Sequence, residues 1–262
     1  MDAFLAFDRI REFAACAWSA GDGWNGRAAL LWHLTRNLRV RLGLGGYRPL
    51  HISTIPTRFG PLHVRENFGD ITNVVDLLYH DVYRVRALAA PGAIFDAGAN
   101  VGIAAMAFAS CNPGRPVYCF EPVPENAALI RLNCPGAEII GKALGSEPGA
   151  VRLHVDPDNV IASRIDTAWK TREVEFEVIT LDDFKRERGI DEVALLKLDV
   201  EGMEVDILDG ASATLRSTAE VVLESHGRER HQGVQSRLKS AGFRIDGEVF
   251  DGKTGFVYAS RE

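Results

Sequence analysis

The chain has 262 residues, of which 46% are hydrophobic and 25% charged, and its formal net charge is −6. The length accommodates one large α/β domain or a core domain with an added lobe, and the composition is that of a globular protein rather than a disordered or fibrous one. The acidic balance argues against a general binder of phosphate backbones, and no run of about 18 apolar residues is present to cross a bilayer as a helix.

The opening MDAFLAFDRIREF places Asp2, Asp8, Arg9 and Arg11 where a signal peptide needs an unbroken apolar core, so the cytoplasm is the default expectation. Residues 2–18 and 27–42 carry apolar spacing suited to helices. The second of these holds Arg27, Arg36, Arg39 and Arg41, a cationic face read as solvated, with a lid or a contact to an anionic acceptor as the alternative. GLGGYRP, Gly43 to Pro49, reads as a hinge, and the division expected is a helical lobe over 1–60 and a catalytic domain over 61–262. Cys16, Cys111, Cys119 and Cys134 are scattered without a C-x-x-C pair, which predicts buried free thiols rather than a zinc site or disulfides.

From Ala93 onward strand and helix patterns alternate, which predicts a mostly parallel sheet covered by helices on both faces. Strands are expected near 93–97, 117–121, 138–143, 194–199 and 220–225, and helices near 102–110, 124–133, 181–188, 204–215 and 229–240. VRLHVD and VEFEVITL alternate in period two and predict an inserted hairpin. FRIDGEVF and GFVYASR, joined by Asp251-Gly252-Lys253-Thr254, predict a closing antiparallel hairpin.

AIFDAGANVG, Ala93 to Gly102, reads as a buried strand entering a glycine turn that opens a helix. Asn100 stands where the dinucleotide pattern G-x-G-x-x-G has its second glycine. Asp96 would repel a pyrophosphate, whereas a cofactor with a cationic amino-acid portion, such as S-adenosylmethionine, can use it. Glu121 ends the next strand, VYCFEP, in position to accept hydrogen bonds from ribose hydroxyls. An NAD-dependent oxidoreductase and a catalytically silent cofactor-binding module remain as rival readings at this level. In Ala194–Gly202, ALLKLDVEG, Asp199 and Glu201 can point into the same crevice, and Lys197 reads as a charge partner for an acid.

DAGANVG, FEPVPEN and LLKLDVEGMEVDILDGA, in this order and spacing, resemble the FkbM family of S-adenosylmethionine-dependent methyltransferases over roughly residues 65–260. The resemblance implies an α/β class I methyltransferase (Rossmann-like) fold, with a seven-stranded, mostly parallel sheet whose last strand is antiparallel. It implies O-methylation of a hydroxyl on a sugar, glycolipid or polyketide-type natural product. Carried over, Asp96, Gly98, Asn100 and Gly102 border the methionine part of the cofactor, Glu121 holds the ribose with Pro122 and Asn126 beside it, and Ala143 and Leu144 lie along the adenine. Asp199 is assigned to the cofactor as well as to catalysis. Tyr83, in GDITNVVDLLYHDVYR, joins the cofactor residues, and the adenine amine is left to a backbone amide or to Ser146.

A hydroxyl needs a base before it attacks a sulfonium. His226, ending VVLESH, ranks first because its ordinary pKa suits neutrality, then Glu201, with Asp199 and His154 also considered. Asp199, Glu201, Glu224 and His226 would suit a divalent cation, but nothing in the spacing shows that Glu224 and His226 reach Asp199, so no metal is expected. The partner expected is a small hydroxyl-bearing acceptor, with Arg152, His154, Arg164 and Trp169 as candidate contacts, and no nucleic acid.

Overall fold

The computed structural model describes residues 3–155, 162–163 and 172–261. Arg164 and Trp169 lie outside the described residues. The chain begins with α1 (Ala3–Ala20) and α2 (Gly23–Arg41), followed by a hairpin of β1 (Arg48–Thr57) and β2 (Gly60–Glu66), and then α3 (Phe68–Leu78). The alternating part comprises β3 (Ala93–Ala97), α4 (Ile103–Cys111), β4 (Val117–Phe120), α5 (Pro124–Asn133) and β5 (Glu138–Ile140). An inserted segment follows, with β6 (Ala143–Leu144), β7 (Gly149–Val155), β8 (Ala162–Ser163) and β9 (Arg172–Ile179). The chain then forms α6 (Leu181–Arg188), β10 (Val193–Leu198), α7 (Glu204–Asp209), α8 (Ser212–Arg216), β11 (Thr218–His226), α9 (Arg228–Ser240), β12 (Arg244–Phe250) and β13 (Thr254–Ser260).

Seven strands make the main sheet in the order β12-β13-β11-β10-β3-β4-β5. β3, β4, β5, β10 and β11 run parallel, and β13, the last strand, is antiparallel to both of its neighbours. This is the α/β architecture expected of a class I methyltransferase. Every residue of β3 and β10 is buried, which explains their nearly continuous apolar runs. Side chains divide between the two helical layers: Phe95, Leu196 and Leu198 pack into one core and Ile94, Ala194 and Leu195 into the other, with a register shift between Val193 and Leu195. Four free cysteines are present, three of them buried.

Two expected elements end early, for identifiable reasons. The strand predicted over 138–143 stops at Ile140; after Gly141 and Lys142, Ala143 and Leu144 pair with β9 in a second, four-stranded sheet. The helix predicted over 204–215 breaks between α7 and α8, because Gly210 passes so close to the Gly145 carbonyl that a Cβ would sit 2.3 Å from it. VRLHVD and VEFEVITL do form antiparallel partners, as β7 and β9.

α1, α2, β1, β2 and α3 share one apolar core with α4 and α5: Cys16, Leu30, Ile55, Leu62 and Val74 pack together with Val101, Met106 and Leu129. Residue 60, where the lobe was expected to end, is the first residue of β2, directly paired with Thr57 across the hairpin. α2 crosses β1 at Gly26, whose Cβ would lie 2.2 Å from the Pro56 carbonyl. Arg36 of the basic segment pairs with buried Glu66 at 2.8 Å, as does Arg48 of β1 at 2.6 Å, so part of the cationic face is turned to an internal carboxylate.

Candidate active site

In a parallel sheet the carboxyl ends of the strands open on one edge, and ligands bind in the crevice there. β3, β4, β10 and β11 end beside a cavity of about 400 Å³, a size suited to a nucleotide-like ligand. It is lined by Tyr83, Gly98, Asn100, Glu121, Pro122, Asn126, Ala143, Leu144, Asp199 and Glu201, all singled out from sequence. Asp96, Gly102, Ser146, His154 and His226 do not line it.

The glycine turn is built from left-handed residues: Gly98 has φ +74°, Asn100 φ +49° and Gly102 φ +83°. Gly98 has no alternative residue, since a Cβ there would lie 1.7 Å from the Asp199 carbonyl oxygen. Asn100 holds a conformation costly for a side-chain-bearing residue, and this directs its N–H to Glu121 Oε2 at 2.9 Å. The other Glu121 oxygen accepts from the Val123 N–H at 3.0 Å and from Asn126 Nδ2 at 3.4 Å. Burial pushes the Glu121 carboxyl up to about 7 against these stabilising hydrogen bonds. Asn126 Oδ1 in turn accepts from Arg65 Nη2 at 2.8 Å, and Arg65 grips buried Asp70 with Nε and Nη2, at 2.9 and 2.8 Å. The hairpin and α3 therefore brace the Glu121 carboxylate, a link with no counterpart in the sequence motifs.

Asp96 is wholly buried, and Lys197, its register partner on β10, reaches its Oδ1 at 2.9 Å. The Lys197 ammonium also donates to the Gly98 carbonyl at 2.7 Å. Burial opposes the charge on Lys197, but Asp96 and Asp199 outweigh it and raise its pKa, so the lysine stays protonated. The acid before the turn is thus a foundation for the lysine that faces the cavity.

Four acids and a histidine collect at the ends of β10 and β11. Asp199 Oδ2 accepts from the buried Tyr83 hydroxyl at 2.8 Å, and the same hydroxyl lies 3.4 Å from Glu224 Oε2. Burial and the Asp199 charge hold Tyr83 well above its ordinary value. Glu201, at φ +49°, is pushed to about 7 by burial and then by Asp199; Glu224 is pushed to about 8 by the same two causes. His226 Nδ1 donates to Glu204 Oε1 at 2.7 Å, and Nε2 lies 3.4 Å from Glu201 Oε2 and 3.7 Å from Glu224 Oε1. Burial works against the imidazolium, yet the Glu204 hydrogen bond and the Glu201 and Asp199 charges raise His226 to about 9. Glu204 is itself completely buried and also accepts from the Gly202 N–H at 2.9 Å. Its role was not foreseen, because nothing in MEVDILD separates it from an ordinary acid in a first helical turn.

A family model identifies the chain's family. The model of the methyltransferase FkbM domain matches residues 96–245. The 2-O-methyltransferase NoeI of Sinorhizobium fredii is 26% identical over 159 residues, covering 53% of this chain and 65% of NoeI. The 31-O-demethyl-FK506 methyltransferase FkbM of Streptomyces tacrolimicus is 29% identical over 215 residues, 65% of this chain and 82% of that protein. The hexuronic acid methyltransferase AglP of Haloferax volcanii is 24% identical over 173 residues, 64% of this chain and 70% of AglP. Among solved structures, methyltransferase FkbM from Methylobacillus flagellatus superposes with a TM-score of 0.48 at 15% identity, covering 96% of this chain and 59% of that one.

Proposed function

The chain belongs to the FkbM family of methyltransferases, and from that premise we propose that it transfers a methyl group from S-adenosylmethionine to a hydroxyl of a sugar, glycolipid or polyketide-type acceptor. The names of its relatives, a 2-O-methyltransferase, a methyltransferase of 31-O-demethyl-FK506 and a hexuronic acid methyltransferase, support that acceptor class. The observation that carries the reading is the cavity itself, whose lining includes Asn100 and Glu121 together with Asp199, Glu201 and Glu224.

The residues fit such a cofactor. Six carboxylates (Asp76, Glu121, Asp199, Glu201, Glu224 and Asp251) line the cavity against two lysines, Lys142 and Lys197, which suits a ligand carrying sulfonium and ammonium charges. The Asn100 side-chain oxygen is enclosed without a donor, an orphan that a bound hydroxyl or ammonium would satisfy. Gly98 brings the chain close enough that any side chain there would close the approach. When bound, S-adenosylmethionine supplies an electrophilic methyl on a positively charged sulfur.

In this reading Glu121 accepts from the ribose hydroxyls, Ala143 and Leu144 pack on the adenine, and Asp199 and Asn100 hold the amino-acid portion. Lys197 fixes the Gly98 carbonyl and keeps the turn in place. The chain's task is alignment, since an in-line displacement depends on acceptor oxygen, methyl carbon and sulfur lying on one axis. Glu201 takes the acceptor proton: at about 7 it is poised near neutrality, whereas His226, at about 9, already carries its proton. In this reading Glu201 serves as the base, and the His226 imidazolium steadies the carboxylates around it.

Isothermal calorimetry with S-adenosylhomocysteine and, separately, NADH tests the cofactor. Binding of S-adenosylhomocysteine and not NADH is expected; the reverse would overturn the reading. Turnover with labelled S-adenosylmethionine should fall in Glu201→Gln with cofactor affinity retained.

A further inference from the structure

One donor atom from each of Asp199, Glu224 and His226 lies within 4.8 Å of the other two. A divalent cation held at about 2.1 to 2.4 Å separates adjacent donors by roughly 3.0 to 3.4 Å and opposite donors by roughly 4.2 to 4.8 Å. His226 Nε2 and Glu224 Oε1 are 3.7 Å apart, between those two separations, so both atoms can reach one ion after a shift of a few tenths of an ångström. Their distance is too long for a charge-assisted hydrogen bond, which closes to about 2.7–2.9 Å. The Nδ1 side of the same ring makes such a bond, at 2.7 Å to Glu204. The imidazole is therefore tightly held on one side and spaced for coordination on the other.

A second, independent observation lies behind the ring. Glu204 is completely buried, and its Oε2 has no partner. A buried carboxylate taking Nδ1–H fixes the tautomer, turns Nε2 toward the acids and makes it a stronger donor, which is how histidine ligands of metals are commonly supported. From the opposite side, buried Tyr83 occupies Asp199 Oδ2 and sits beside Glu224 Oε2, so Glu224 Oε1 is the oxygen presented to His226.

We propose that Asp199, Glu224 and His226 form a divalent-cation site, of the Mn²⁺ type suited to two carboxylates and one imidazole, where the ends of β10 and β11 meet the cavity. Binding replaces the His226 Nε2 proton with the cation. The role of the site, though not its existence, rests on the O-methylation reading. The cation would bind the acceptor oxygen and make its hydroxyl more acidic. The hydroxyl proton then passes to Glu201, and the oxygen forms its bond to the methyl carbon. The carbon–sulfur bond breaks with its electron pair kept by sulfur, which leaves as a neutral thioether.

The test uses the whole chain, stripped with EDTA and titrated with Mn²⁺ alone, free ion being read by electron paramagnetic resonance. One equivalent of Mn²⁺ should be taken up and given back to EDTA. Glu224→Gln and His226→Gln should each weaken uptake by at least about tenfold, and Glu204→Gln, which touches no ion, by about 10- to 100-fold. Asp209→Asn, an exposed acid paired with Arg237, should leave uptake unchanged. S-adenosylhomocysteine calorimetry on the same samples reports folding and the cofactor site. Normal S-adenosylhomocysteine binding without Mn²⁺ uptake, or uptake undiminished in Glu224→Gln and His226→Gln, overturns the cation site and leaves the methyl-donor reading standing. Variant-sensitive Mn²⁺ uptake without S-adenosylhomocysteine binding supports the cation site and removes the methyl donor instead.

Discussion

Replacing Lys197 with Met should destabilise the protein far more than the loss of one surface charge. The ammonium and Asp96 are 2.9 Å apart, and their side chains are 3% and 0% exposed. At an effective dielectric constant near 20 their attraction is about 6 kcal/mol, most of it offset by the cost of burying both charges. Removing only the lysine leaves that desolvation cost on Asp96, which has no hydrogen-bond donor to replace it. Breaking a buried pair in this way costs about 3–5 kcal/mol, a large share of a typical total of about 5–15 kcal/mol. Asp96→Asn added to Lys197→Met should recover most of the loss, so the double-mutant cycle should show a coupling of several kcal/mol. Urea denaturation followed by circular dichroism of the wild type, both single variants and the double variant measures the cycle. A Lys197→Met cost below about 1 kcal/mol, or losses that simply add in the double variant, would refute the claim that this pair anchors the strand ends.

Gly98→Ala forces a Cβ to within 1.7 Å of the Asp199 carbonyl oxygen at φ +74°, so it should abolish S-adenosylhomocysteine binding and lower the melting temperature by several degrees; a variant that binds normally contradicts the turn geometry. Glu121→Gln should weaken S-adenosylhomocysteine by about 2 kcal/mol, some thirtyfold, as expected for a lost charge-assisted hydrogen bond. The wild-type affinity should also fall as pH drops through about 7, where Glu121 gains a proton and stops accepting from both hydroxyls; a flat calorimetric profile between about pH 6 and 8 argues against the ribose role. The stability of the unliganded protein should decline from about pH 5 to 9. Glu121, Glu201 and Glu224 rise from 4.5 to about 7, 7 and 8, and His226 from 6.5 to about 9, so the native state holds more protons than the unfolded chain throughout that window. For the enclosed Glu121 alone this amounts to about 3 kcal/mol at most. Melting temperatures that climb across the same range would contradict the assigned environments.

The parts of the site written by short-range pattern were legible from sequence, and the parts written by register were not. AIFDAGANVG announces its strand and turn because burial on both faces demands an apolar run, and close approach of two chain segments demands glycine at Gly98. Asp96 and Lys197 illustrate the limit. Their spacing along the chain permits a pair, but only the alignment of β10 beside β3 places them opposite one another, and that pairing withdraws Asp96 from the cavity. His226 carries the same lesson into chemistry. Its ordinary pKa made it the natural base, yet the property that matters is set by Glu204, 22 positions earlier, which α7 brings under the ring, and by Glu201 and Asp199 beyond it. A residue's usefulness as a base is a property of its neighbours' charges, and those neighbours are chosen by topology: the ends of β10 and β11 converge because the two strands are adjacent and parallel. Any sequence with acids at both strand ends accumulates like charge there. Lys197 and His226 offset part of it, which is the electrostatic ground for expecting the remainder to be met by cationic ligands.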